Sequence, residues 1–179
     1  MVQANERFDR YVRWLSGAHK DPNKTTTLGG FPYLVRDGTI APAYAKLTEE
    51  IDALQVPAEA KETAKLAVAA HYGGRGEIAW LSRQTKALAP EQVKSIIEGT
   101  KPADLTPAGS AAYDAVTYLV TTPGPLPLQY WETCIDVLGK DGTIGIIHLV
   151  GMHIGASIIA NAIGAPVIGA EELQAGKEE

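Results

Sequence analysis

Residues 61–88 read KETAKLAVAAHYGGRGEIAWLSRQTKAL, and this stretch decides the fold. Its first half, 61–72, is rich in alanine and holds no Gly or Pro, the composition of a helix interior. Gly73, Gly74 and Gly76 then end that helix, because glycine accepts the left-handed backbone of a helix stop. Beyond them Glu77, Trp80, Leu81, Gln84 and Leu88 recur at three- and four-residue steps, so they share one face of a second helix. A Gly-Gly-Arg-Gly hinge sets the end of one helix beside the start of the next, and a small pocket is expected there. Glu62, His71, Glu77 and Arg83 are the chemistry-bearing groups among these apolar turns.

Helical patterns extend on both sides. Upstream, 5–16 places Phe8, Tyr11, Val12 and Leu15 on one face behind Asn5 as an N-cap, and 43–54 repeats Tyr44, Leu47, Ile51 and Leu54. Between them 17–42 has no helical period and carries Asp21-Pro22, Gly29-Gly30 and Asp37-Gly38, the signature of a long loop; His19 within it reads as exposed. Downstream, Pro90 and Pro107 each stand in the first turn of a helix, where a missing N–H costs no bond. Pro123, Pro125 and Pro127 break the chain, and 128–138 resumes with Tyr130, Trp131, Cys134, Ile135 and Leu138 before Gly139 and Gly142 end it. No segment alternates with period two. The fold class predicted is all-α.

The last helix, 144–163, holds no charged residue over about the length of a membrane span. His148, His153, Ser157 and Asn161 read as spread around it, and neither end carries a basic cluster or an aromatic belt. A helix apolar on all sides is equally at home in a core or a subunit interface, so burial in a homo-oligomer is expected rather than a membrane.

Composition narrows the function. A chain of 179 residues with 45% hydrophobic and 21% charged residues is globular, and a net charge of −5 offers no basic stripe for nucleic acid. One cysteine, Cys134, excludes an internal disulfide and a two-thiol redox motif; amid Trp131, Ile135 and Leu138 it reads as a buried, inert thiol. The absence of an apolar leader in MVQANERFDR suggests a cytoplasmic protein.

Among the histidines, His148 and His153 lie five apart, about 140° around a helix, and no HExxH or CxxC accompanies them, so no metal site is expected. Each by itself is most simply a hydrogen-bonded core or interface histidine. His71, closing its helix before the hinge, is a dipole cap or a general base. Glu62 and Glu77 are surface charges in the plain reading; in the functional one they orient the imidazole. The hinge matches neither a P-loop nor a GxGxxG fingerprint.

The order of elements resembles the carboxymuconolactone decarboxylase and AhpD-like alkylhydroperoxidase superfamily. Lys61-Glu62-Thr63 is similar to the family's Arg-Glu-Leu start, Leu66–Ala70 to its alanine-rich helix, and Gly76–Leu81 to its Tyr-Glu-Trp segment, with Glu77 at the glutamate. Ala87–Val93 is similar to the segment that follows. The family's histidine falls at Trp80 or Leu81 and its two cysteines are absent, which removes the peroxidase thiol cycle.

The resemblance implies an oligomer-forming AhpD-like bundle over 56–167, preceded by a packing segment at 1–55 and followed by an acidic tail at 168–179. It also implies cofactor-free proton-transfer chemistry, as in decarboxylation, isomerisation, elimination or cyclisation of a small organic acid, lactone or phenolic. His71, with His148 in reserve, would be the acid or base, Glu62 and Glu77 its partners, Trp80 an apolar wall, and Arg75 or Arg83 a carboxylate clamp. The alternatives are a non-catalytic ligand-binding or scaffold oligomer and a redox protein using Cys134.

Overall fold

The computed structural model describes residues 40–73 and 75–162. The expected helix at 5–16, the loop bearing His19 and the acidic tail lie outside them. Among the described residues six helices follow one another: α1 (Ile40–Asp52), α2 (Ala58–Tyr72), α3 (Arg75–Gln84), α4 (Pro90–Ile97), α5 (Pro107–Thr121) and α6 (Leu128–Ala162). No strand occurs among the described residues. α1 begins at Ile40, so the end of the expected loop is helix; Pro42 stands in its first turn, where no hydrogen bond is lost.

α2 is the central element and packs most extensively against α5 and α6. Its alanines explain why. Ala60, Ala64, Leu66, Ala67, Val68 and Ala69 are all buried, and four of them are consecutive, so the helix is covered on every side there. Small side chains let neighbouring helices approach closely around it. Tyr113 and Val116 from α5, Ile146, Leu149, Val150 and Met152 from α6, Ile96 from α4, Leu81 from α3 and Ile51 from α1 complete one core. A second, smaller cluster joins Ala111 and Ala115 of α5 to Leu126 and Cys134.

The helix ends follow the local chemistry. Gly73 adopts φ 64°, ψ 26°, and its N–H reaches the carbonyls of Ala69 and Ala70. Thr106 caps α5 by accepting from the Gly109 N–H at 3.2 Å. Glu59 ties α2 to that cap, its Oε1 accepting from the Thr106 N–H at 2.7 Å and the Thr106 hydroxyl at 2.9 Å. Gln92 reaches back from the first turn of α4 to accept from the Ala89 N–H at 2.8 Å.

α6 runs on past the stop expected at Gly139, yet that residue keeps a non-helical backbone of φ 72°, ψ 173°. The element is therefore two helical pieces meeting at a kink. By length and composition 128–159 is apolar enough to cross a membrane, but 56% of its most apolar window is buried inside the fold.

Candidate functional site

On α6, His153, Ser157 and Asn161 stand four residues apart and so occupy one stripe. That stripe meets both helices flanking the hinge. Glu77, in the first turn of α3, is 3% exposed and receives two of the three side chains. Ser157 Oγ donates to Glu77 Oε2, and His153 Nδ1 lies 3.0 Å from Glu77 Oε1. One turn further, Asn161 Nδ2 donates to the Tyr72 carbonyl at 2.9 Å, satisfying one of the orphan acceptors at the end of α2. An ionised carboxylate only accepts, so opposite one, Nδ1 of a neutral imidazole is the donor and Nε2 the basic nitrogen.

His153 is 1% exposed, with its Nε2 buried, and the residue borders a cavity of about 270 Å³. The other walls are Thr48 and Asp52 of α1, Glu62 and Lys65 of α2, Trp80, Leu81 and Gln84 of α3, and Thr85. Lys65 Nζ pairs with Asp52 Oδ1 at 2.8 Å across the α1–α2 side. Glu62 accepts from the backbone N–H groups of Lys86 and Ala87 at 3.0 and 2.8 Å, which fastens the segment after α3. Lys61 holds the chain between α1 and α2 by donating to the Asp52 carbonyl at 2.7 Å.

The expected site residues therefore separate. Glu62, Trp80 and, through His153, Glu77 belong to this cavity. His71 does not: it is exposed, sits edge-on to Tyr72 at 5.1 Å, and lines a different cavity of about 320 Å³ with Ile96, Tyr113 and Thr117. The reason is periodicity, since nine residues at about 100° each put His71 roughly 180° from Glu62 on the same helix. His148 is exposed, and Arg75 and Arg83 are exposed without lining either cavity.

Among the described residues a cavity lies between α1, α2, α3 and α6, and the imidazole beside Glu77 comes from His153. The four-residue spacing of His153, Ser157 and Asn161 is the signal that marks this stripe in the sequence. No family model, curated protein or solved structure matches this chain.

Two groups outside this cavity have shifted protonation. Burial pushes the Cys134 thiol up, reinforced by the negative charge of Asp114, and its Sγ contacts the Ala111 carbonyl at 3.8 Å. Burial also raises the Tyr113 phenol, partly offset by its hydrogen bond with Thr117 and reinforced by Asp114. Among the described residues no three His, Cys, Asp or Glu side chains come together as a metal-binding group.

Proposed function

We propose that the protein is a small-molecule enzyme of carboxymuconolactone decarboxylase-like type. It would carry out cofactor-free proton transfer, in decarboxylation, isomerisation, elimination or cyclisation. The observation that carries this reading is the His153–Glu77 pair at the wall of the first cavity. A carboxylate on Nδ1 fixes the tautomer and stabilises the imidazolium that forms when Nε2 takes a proton from substrate. Ser157 holds the second carboxylate oxygen, and Trp80 and Leu81 supply an apolar wall. In this scheme His153 replaces the histidine that the family places on the hinge-proximal helix. The AhpD-like arrangement is supported by the order of elements around the alanine-rich α2. A homo-oligomer is supported by the uncovered apolar residues Ile144, Ile158 and Ile159 of α6.

The test uses proton exchange, which needs no knowledge of the product. Enolisable lactones, keto compounds and phenolics are incubated with the protein in deuterated water, and deuterium incorporation is followed by NMR. At least one probe exchanges with the wild type, and His153→Gln slows that exchange by at least ~100-fold while the helical circular dichroism is retained. Exchange that persists in His153→Gln, or no exchange with any probe, rejects the reading.

A second, non-catalytic reading has its own observation. The polar stripe of α6 ties down the end of α2 and the start of α3, the task of a structural staple. If His153→Gln lowers stability and the wild type exchanges nothing, the scaffold reading stands instead.

A further inference from the structure

Proton transfer leaves the charge on the wall of the His153 cavity unused. Besides His153, three ionisable side chains among the described residues line it: Asp52, Glu62 and Lys65. Lys65 and Asp52 pair at 2.8 Å and so largely cancel each other. Glu62 is held by two backbone N–H groups, which are neutral donors and bring no positive charge to the wall. Behind His153, Glu77 is engaged by that ring and by Ser157 and adds no positive charge to the wall. Trp80 lines the same space, and an indole ring attracts a cation over its face.

We propose that this cavity binds a small organic ammonium, a protonated amine carried on a ring or short chain that packs on Trp80 and Leu81, and that it discriminates against a carboxylate of equal size. The inference rests on the reading of this cavity as the substrate site and names the class of molecule that enters it. It narrows the chemistry toward abstraction of a proton near an amine-bearing carbon, with His153 Nε2 as acceptor. An anion entering the same space meets Glu62, and among the described lining residues the one lysine, Lys65, is already paired with Asp52.

Three probes matched in size separate charge from shape: benzylammonium, benzyl alcohol and benzoate, titrated calorimetrically at neutral pH and low salt. Benzylammonium binds the wild type at least ~tenfold more tightly than benzoate, with benzyl alcohol between them. Lys65→Met widens the ratio by a further ~tenfold, because Asp52 is then uncancelled, and Asp52→Asn narrows it by freeing the Lys65 charge. Equal or tighter binding of benzoate, binding of none of the three, or ratios that ignore both variants would overturn the proposal. Titration and proton exchange of the wild type together separate the two claims. An ammonium preference without proton exchange rejects the catalytic reading alone; proton exchange without the preference rejects the ligand class alone.

Discussion

Glu77 carries two buried hydrogen bonds on one carboxylate, and both donors sit on α6. Truncating it strands the His153 ring and the Ser157 hydroxyl in a site without solvent, and each buried unsatisfied group costs about 1–3 kcal/mol. Glu77→Ala is therefore expected to lose about 3 kcal/mol of unfolding free energy, measured by urea denaturation. A loss under about 1 kcal/mol shows that the pair is not held as described.

Cys134 makes the opposite kind of prediction. Its thiol is buried and its protonated form favoured, so alkylating reagents at pH 8 react slowly until the chain unfolds. The raised thiol sets a sign as well. Its contribution to stability is intact below the unfolded thiol value of about 8.5 and is lost as pH rises through the higher folded value. Substituting Cys134 with alanine flattens that alkaline slope in a pH series of denaturation curves. Rapid labelling of the native protein contradicts the burial.

At the scale of elements, the kink in α6 depends on Gly139. Its φ of 72° with ψ of 173° is a conformation open essentially to glycine alone, and an added Cβ meets no neighbour there, so strain rather than crowding limits substitution. Gly139→Ala is expected to lower stability by about 1–3 kcal/mol, read from the denaturation midpoint. A neutral outcome indicates that the two pieces of α6 straighten into one helix.

Much at this scale was legible from the sequence. Alanine content marks α2, glycine marks its end at Gly73, and prolines mark the starts of α4 and α5, because each is a local backbone requirement. The partner of Glu77 was not. It arrives from 76 residues away, and a pairing between helices is settled by packing rather than by any local preference. Two rotational clues did exist. Glu62 and His71 lie on opposite sides of one helix, which separates them, and His153, Ser157 and Asn161 lie on one side of another, which groups them.

Among the described residues the core is built around α2, and α6 is incompletely covered. Ile144, Ile158 and Ile159 of α6 remain exposed at 46%, 53% and 38%. Gly151 and Gly155 on the same helix have open space where a Cβ would stand. Apolar area of this kind is covered in stable proteins more often than it is left to water. Light scattering of the purified protein is expected to give a mass at least twice the 19.0 kDa of the chain, and Ile158→Lys to shift it toward the monomer. A monomer in the wild type at micromolar concentration removes the homo-oligomer from the account.

The proposed reacting imidazole is His153, held by Glu77, and not His71 or His148. Long-range proton–nitrogen NMR of the four histidine rings tests it most directly, recorded with and without benzylammonium. The account predicts that His153 carries its proton on Nδ1, that this signal is lost in Glu77→Gln, and that the ligand moves Nε2 of His153 alone. A proton on Nε2 of His153, or a ligand response at His71 or His148, would contradict it.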